Sequence, residues 1–269
     1  NFVLLIGSLC FYFVGTIHNP EHFILFILSI VADFAIGIWI EKFPARKKVL
    51  LATGIIFHLI SFAVFKYSGF VINEMGRLNP NFNFTADIVL PIGISFYTFQ
   101  GISYIVDVYR GNAKAERSLL RYAVYISMFE QLIAGPIVTY GQVEKELYKR
   151  KIKASSVLKG MGVFIFGLGL KVLLANPIGK LWSQTCAIGF ESISTPLAWM
   201  AITAFSFQIY FDFSAYSDMA IGLGRIFGFE FLENFNYPYI SKSITEFWRR
   251  WHISLSSWFR DYVYIPLGG

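Results

Sequence analysis

The sequence predicts an all-α integral membrane protein that crosses the bilayer several times. Hydrophobic residues make up 55% of its 269 residues and charged residues only 15%, whereas a soluble domain carries about 25% charged residues. Several apolar runs approach the roughly 20 residues that a membrane-spanning helix requires. The 29 Phe, 15 Tyr and 6 Trp suit a protein whose aromatic rings settle at the lipid headgroups.

Five apolar segments are predicted to be membrane helices or parts of them. They are residues 2–17, 23–40, 49–65, 88–106 and 157–175. Residues 197–229 could form one long helix or a tight pair of helices. Because no internal repeat or soluble linker divides the chain, we expect a single transmembrane domain over residues 1–269. The chain starts inside an apolar run and stops after an aromatic, charged segment, so we expect a fragment truncated at both ends.

Loop charges predict how the helices are oriented, because cytoplasmic loops carry an excess of Lys and Arg. The loops at residues 42–48 and 110–121 are basic and are expected in the cytoplasm. The nearly neutral loop at residues 73–87 is expected on the outside. The loop at residues 145–153 is again strongly basic, and it is therefore expected in the cytoplasm as well.

A single apolar run, residues 122–138, separates the last two basic loops. This run contains Glu130, Gln131 and the helix-breaking pair Gly135-Pro136. Irregular backbone at membrane depth persists only where protein or a water-filled cavity surrounds it. We therefore predict a re-entrant or broken segment that enters and leaves on one face of the membrane.

Several common active-site motifs are absent from the sequence. It has no Gly-x-Ser-x-Gly elbow, no His-Glu-x-x-His zinc pair and no Walker A loop. Gly222, Gly224 and Gly228 lack the spacing of a dinucleotide fingerprint, and we expect them to permit close helix packing instead. Cys10 and Cys186 are far apart and suggest no metal site. The basic residues form no stripe, so nucleic acid is not an expected partner.

Residues 243–261 are the main candidate for a functional segment. On one continuous helix, its apolar residues would share a face: Ile244, Phe247, Trp248, Trp251, Leu255 and Trp258. Its polar residues would line the opposite face: Glu246, Arg249, His252, Ser256 and Arg260. The helix could lie flat in the headgroup region. Alternatively, the same helix could direct His252, which can titrate near neutral pH, toward a hydroxyl or carbonyl group. The arginines of the helix could then bind the phosphates of a cofactor. Spacing alone leaves both interpretations open.

Charged residues inside apolar runs form a second group of candidates, because such charges are costly in a bilayer. Asp212 and Asp218 lie in the long segment 197–229, where Ser214 shares a helix face with Asp218. They could tie helices together through a polar network or line a polar tunnel. His58 is expected to be a packed, hydrogen-bonded helix residue.

Residues 233–269, ENFNYPYISKSITEFWRRWHISLSSWFRDYVYIPLGG, resemble the signature of the membrane-bound O-acyltransferase family. Residues 90–111, 131–140 and 210–229 resemble the branch of that family that acetylates bacterial alginate. The resemblance implies a ring of tilted helices with short, re-entrant helices around a central funnel. It also implies a main catalytic histidine beyond Gly269, with His252 as an earlier motif histidine.

The function implied by this resemblance is acyl transfer across the bacterial cytoplasmic membrane. An acetyl or other short acyl group would pass from a cytoplasmic thioester, acetyl-coenzyme A or an acyl carrier, to a hydroxyl of an extracytoplasmic polysaccharide. No bound cofactor or metal is expected, and an extracytoplasmic acetyltransferase is the expected partner protein. Within residues 1–269, His252 is the predicted catalytic residue, and without the later histidine this chain is not expected to catalyse the reaction alone. The predicted tunnel residues are Arg249, Asp218, Ser256, Glu246 and Asp212.

Three other functions remain open at this stage. Two are enzymatic: D-alanyl transfer to teichoic acid and O-acetylation of peptidoglycan. The third is a transporter or export channel, because broken helices and intramembrane carboxylates also suit solute passage. A transporter often has two matching inverted halves, and the sequence has no such internal symmetry.

Overall fold

The structure, a computed structural model, describes residues 1–78, 88–133 and 135–269. Within these residues the chain forms helices and no strand, which confirms the predicted all-α class. The chain divides into two compact units. The first comprises Asn1–Ile133, Ile137–Lys149 and Arg260–Gly269, and the second is built mainly on Arg150–Phe259. The single domain and the ring around a funnel stay predictions.

The first unit contains seven α-helices among its described residues. They are α1 Phe2–Gly15, α2 Pro20–Lys42, α3 Lys47–Leu78, α4 Ile94–Arg110, α5 Leu119–Ser127, α6 Phe129–Leu132 and α7 Tyr140–Tyr148. Helix α2 begins at Pro20. Proline lacks a backbone N–H, but N–H groups in the first turn have no partner within the helix, so no helical hydrogen bond is lost. Helix α4 ends before Gly111, which takes a left-handed conformation (φ +80°) that favours glycine.

Two predicted boundaries in this unit are wrong. The span expected at residues 88–106 begins at Ile94, because Gly93 has a φ of +70° and interrupts the helix before it. Most side chains of α4 are buried within the structure, so packing against protein replaces the expected contact with lipid. The loop expected at residues 73–87 is helical through Leu78, and residues 79–87 lie outside the described part of the chain.

The second unit contains the remaining α-helices of the described chain and one π-helical turn. They are α8 Ala154–Gly169, a π-helical turn Leu170–Ala175, α9 Asn176–Ile188, α10 Thr195–Ile226, α11 Ile244–Trp248 and α12 Ile253–Phe259. Of the two alternatives for residues 197–229, the structure has the single long helix.

Helices α8 and α10 approach each other through a pair of glycines. A Cβ atom on Gly222 would lie 2.7 Å from the backbone oxygen of Gly160 and 2.7 Å from the backbone nitrogen of Phe164. A Cβ atom on Gly160 would lie 2.6 Å from the backbone oxygen of Gly222. Small residues allow such close approach of helices in membranes. The packing role predicted for Gly222 is therefore confirmed.

Among the residues that the structure describes, three helical stretches are long and apolar enough to cross a membrane. They are Pro20–Lys42, Pro44–Leu78 and Ala154–Ile188, which contain the predicted segments 23–40, 49–65 and 157–175. Along α3 only Gly54 and His58 are buried. A long helix that leaves nearly all of its apolar side chains uncovered suits contact with lipid.

The segment 122–138 is broken, as the sequence predicts. Helix α5 ends at Ser127, Met128 has a non-helical ψ of 107°, and α6 ends at Leu132. Protein groups satisfy part of the irregular backbone, since the Tyr125 hydroxyl donates a 3.0 Å hydrogen bond to the oxygen of Val138. The break and its burial are confirmed, while entry and exit on one membrane face stay predictions.

A buried histidine–aspartate pair ties four helices of the first unit together. His58 Nε2 on α3 lies 2.8 Å from Asp33 Oδ1 on α2, with both side chains 1% exposed. The Tyr122 hydroxyl on α5 donates to the other carboxylate oxygen at 3.2 Å. Gly101 lets α4 close over the pair, because a Cβ there would lie 2.6 Å from His58 Nε2. His58 is therefore the packed, hydrogen-bonded residue that the sequence predicts.

Candidate active site

The continuous helix predicted over residues 243–261 is wrong. Helix α11 ends at Trp248 and α12 begins at Ile253. Between them His252 has a φ of +44°, in the left-handed region that residues other than glycine seldom adopt. The predicted polar stripe therefore does not exist as one face, because Arg249 is exposed whereas His252 is only 8% exposed.

The physical reason for the break is a preceding loop that hydrogen-bonds to this turn. The backbone nitrogen of Asn236 donates to the oxygen of Arg250 at 2.8 Å, and that of Ile253 donates to the oxygen of Asn234 at 3.0 Å. Arg250 Nη1 also donates to the oxygen of Asn236 at 3.2 Å. These bonds satisfy backbone groups that a continuous helix would otherwise pair internally. Sequence periodicity contains no information about such partners.

Asn234 fixes the orientation of the His252 ring. The side-chain oxygen of Asn234 accepts from the Ser254 backbone nitrogen at 3.1 Å and from the Ser254 hydroxyl at 2.9 Å. Because a backbone N–H can only donate, the oxygen rather than the nitrogen of the amide must face this group. The same oxygen lies 3.2 Å from His252 Nδ1.

This geometry assigns the tautomer of His252. An amide oxygen only accepts hydrogen bonds, so Nδ1 must carry the proton in the neutral ring. Nε2 then keeps its lone pair, and it has no hydrogen-bond partner among the described residues. Burial lowers the pKa of His252 to about 4, because removal from water disfavours the charged form. The ring is therefore neutral at physiological pH.

Aromatic side chains support the turn from several sides. The Phe213 ring on α10 meets the His252 ring edge-on at 4.8 Å. Trp251 stacks on Phe247 at 5.7 Å and meets Phe235 edge-on at 5.1 Å. These contacts restrict rotation of the turn and exclude water from part of the imidazole. A ring held this way suits catalysis, which requires a prearranged acceptor.

Asn234 also brings an unused hydrogen-bond donor to this site. Its side chain is 1% exposed, and its Nδ2 atom is buried without a partner among the described residues. Unsatisfied buried polar groups are uncommon in native proteins and call for an explanation such as a bound water, an ion or a catalytic role.

The other predicted site residues do not all meet at His252. Ser256 lines a small apolar cavity of about 340 Å³ with Trp248, Leu255 and Phe259. Glu246 accepts from the Lys242 backbone nitrogen and pairs with Arg250 at 3.0 Å, which stabilises the start of α11.

The two predicted aspartates on α10 have different surroundings. Asp218 is half-buried and has no ion pair within the described residues. Asp212 pairs with Lys171 and accepts from Gln208 at 3.3 Å. The residues that line the cleft around Asp212 do not include His252. Asp212 therefore takes part in a helix-tying network, one of the two roles that the sequence left open, while a role in lining a tunnel stays a prediction.

Sequence reasoning missed Asn234 and Phe213 as neighbours of His252. Asn234 precedes His252 by 18 residues, and no helical spacing connects them. Lys171 was missed as well, although a lone lysine in an apolar run is the signal that could have found it. A buried charge of that kind calls for a partner, which Asp212 supplies.

The stretch that contains this site also matches a known family model. The model of the membrane-bound O-acyltransferase family, MBOAT, matches residues 113–269, which is more than half of the chain. The chain belongs to the membrane-bound O-acyltransferase family. The match to the MBOAT model includes both Asn234 and His252. The residues that form the turn therefore lie in the part of the chain that matches the family model.

Curated MBOAT-like relatives extend the match to the N-terminal part of the chain. The chain is 41% identical over its whole length to the probable alginate O-acetylase AlgI of Pseudomonas aeruginosa, covering 52% of that protein. It is 34% identical over 99% of its length to the peptidoglycan O-acetyltransferase of Helicobacter pylori, covering 55% of it. It is 35% identical over 65% of its length to the teichoic acid D-alanyltransferase of Bacillus subtilis, covering 45% of it.

The MBOAT chain described here is thus shorter than these relatives. It spans about half the length of the curated proteins that it matches along its full length. The predicted family resemblance is confirmed.

Proposed function

We propose that the protein transfers an acetyl group, or a similarly short acyl group, from a thioester to a hydroxyl of a polysaccharide. Family membership supports an O-acyl transfer. Two relatives that match along almost the whole chain carry names that state O-acetylation, of alginate and of peptidoglycan. The teichoic acid D-alanyltransferase matches a smaller share of the chain. An acetyl group and an alginate-like acceptor are therefore the favoured substrates.

The observation that carries this proposal is the buried, neutral ring of His252, whose Nδ1 is held by the side-chain oxygen of Asn234 and whose Nε2 has no hydrogen-bond partner among the described residues. In the proposed step, Nε2 accepts the proton of the acceptor hydroxyl while that oxygen attacks the thioester carbonyl carbon. The carbonyl oxygen gains negative charge as the tetrahedral intermediate forms. The C–S bond then breaks, the ester remains on the acceptor, and the leaving thiolate takes the proton from His252.

Two properties of the ring make it suitable for this step. It is neutral at physiological pH, so its Nε2 lone pair is available, while a pKa of about 4 makes it a weaker base than an imidazole whose pKa lies near the operating pH. It is held by Asn234 and Phe213 in one orientation, which lowers the entropic cost of reaching a reactive geometry.

The remaining parts of the proposal concern sidedness and partners. The donor, acetyl-coenzyme A or an acyl carrier thioester, would approach from the cytoplasm, where the basic loops are expected. The acceptor would approach from the opposite face of the bacterial cytoplasmic membrane, with an extracytoplasmic acetyltransferase as a partner. Arg249 is exposed, and it would contact phosphate oxygens of the donor.

A reconstitution experiment tests the function directly. Full-length protein in sealed vesicles is given acetyl-coenzyme A with a labelled acetyl group on one side and oligomeric alginate on the other. We expect label in alkali-labile ester linkage on the glycan, at a rate that depends on the protein. A protein that moves solutes between the compartments but never labels the glycan would support the transporter and contradict the enzyme.

A further inference from the structure

A polar cleft in the second unit lies apart from the residues assigned to acyl transfer. It has a volume of about 700 Å³ and lies between the π-helical turn, α9 and the middle of α10. Two lysines and one aspartate line it: Lys171, Lys180 and Asp212. Asn176, Gln184 and Gln208 add amide groups. The lysine and amide N–H groups of this cleft are suited to a ligand that accepts hydrogen bonds.

The cleft carries an uncompensated positive charge. Lys171 is neutralised by its ion pair with Asp212, and Gln208 donates to the same carboxylate at 3.3 Å. Lys180 is exposed and has no acidic partner among the described residues. One positive charge surrounded by amide donors matches a singly charged anion, such as a phosphodiester.

The position of the cleft in a membrane helix limits the source of that anion. Lys171 and Lys180 belong to Ala154–Ile188, one of the stretches that can cross a membrane. Next to them, Val172 and Leu173 are exposed apolar side chains. Trp182 stacks on Phe205 at 4.5 Å, and tryptophan is enriched at the headgroup level of membranes. A ligand with an anionic head and apolar tails would contact both kinds of surface.

We infer that this cleft binds the headgroup of an anionic phospholipid. The phosphodiester contacts Lys180 and the amides of Asn176 and Gln184, while the acyl chains lie along Val172 and Leu173. Basic pockets between transmembrane helices bind such headgroups. The Lys171–Asp212 pair holds α10 against the π-helical turn and so keeps the wall of the cleft in place. This site is independent of the proposed transfer at His252.

Native mass spectrometry of the full-length protein from lipid nanodiscs tests the inference. The probes are phosphatidylglycerol and phosphatidylcholine with identical acyl chains. We expect the protein to retain phosphatidylglycerol preferentially, and Lys180→Gln to weaken that retention about five-fold, the effect of one lysine near an anionic headgroup. Lys159→Gln is the matched control, because Lys159 is an exposed lysine of α8 outside the cleft.

Two results would overturn the inference. One is equal retention of the two lipids, or equal retention by the wild type and Lys180→Gln while circular dichroism shows that both are folded. The other is complete displacement of phosphatidylglycerol by millimolar inorganic phosphate, which would identify free phosphate as the ligand. Undiminished retention in the presence of inorganic phosphate supports the lipid.

Discussion

At the scale of single residues, Asn234 determines what His252 can do. One amide oxygen accepts from the Ser254 backbone nitrogen, from its hydroxyl and from His252 Nδ1. The backbone donor sets the orientation of the amide, and the amide in turn sets the tautomer of the ring. Removing the partner that orients a metal-ligating histidine typically changes activity 10- to 100-fold, and we expect an effect of similar size for this ring.

The first prediction concerns this orienting role. Asn234→Ala should lower kcat about 10- to 100-fold with little change in KM, because the ring loses its fixed tautomer. Asn234→Asp should restore part of the rate and raise the pKa of His252, since a carboxylate stabilises the protonated ring. Steady-state kinetics over a range of pH measures both effects.

A matched variant distinguishes loss of the orienting role of Asn234 from a general disturbance of the loop. Asn236→Ala makes the same change two residues away, at an exposed side chain, and should leave the kinetics unchanged. Equal losses in Asn234→Ala and Asn234→Asp, with one common pH profile, would mean that Asn234 acts only through folding.

The second prediction concerns pH. Burial lowers the pKa of His252 to about 4 from an ordinary value near 6.5. Because Nε2 must be unprotonated to accept a proton, activity that depends on His252 should fall only as the pH drops toward 4. When kcat/KM is measured from pH 4 to 8, we therefore expect no decrease near pH 6.5 that is caused by protonation of His252. A loss near pH 6.5 that disappears in His252→Gln would contradict the assignment.

At the scale of helices and loops, the close packing of α8 on α10 fixes the position of α10 within the second unit. The two backbones approach through Gly160 and Gly222, and α10 carries Phe213, which meets the His252 ring. Any widening of the α8–α10 contact would therefore affect a helix that supports the candidate site.

The third prediction tests this packing. Gly222→Ala would place a Cβ atom 2.7 Å from backbone atoms of α8, so the helices must separate, at a cost of about 1–3 kcal/mol. Thermal unfolding in detergent should show a lower midpoint. Gly162→Ala is the control, because a Cβ on that α8 glycine would meet nothing within 4 Å. Unfolding midpoints that coincide for the two variants would refute the packing role.

The helices were largely predictable from the sequence, while the turn was not. The segments 23–40, 49–65 and 157–175 were found because long apolar runs are a local property. The break at 122–138 was found from loop charges and the Gly135-Pro136 pair. The turn at His252 depends on hydrogen bonds that Asn234 accepts and that the Asn236 backbone nitrogen donates. These partners are too distant along the chain for helical periodicity to reveal.

At the scale of the whole molecule, family membership and the membrane-length helices agree on a membrane protein. The described chain spans about half the length of its alginate O-acetylase relatives. Composition and motifs were sufficient to predict this class. Which loops face the cytoplasm depends on how the protein is inserted in the bilayer. Labelling from each side of the membrane measures this.

The fourth prediction concerns that sidedness. In a background with Cys10 and Cys186 replaced by serine, Lys114→Cys and Lys151→Cys should react with a membrane-impermeant maleimide only from the cytoplasmic side. Both lysines are exposed and lie on either side of the broken segment. Glu191→Cys follows the membrane-length stretch Ala154–Ile188, so it should react only from the opposite side. Labelling of Lys114→Cys and Lys151→Cys from different sides would exclude a re-entrant segment.

The transfer of a labelled acetyl group by His252→Ala in the full-length protein tests the central claim most directly. We predict a rate at least 100-fold below the wild type, the usual contribution of a positioned proton acceptor, with unchanged thermal unfolding. His18→Ala, which alters an exposed histidine, should retain the wild-type rate. Transfer at the wild-type rate by folded His252→Ala would contradict the assignment of His252 to the acyl-transfer site.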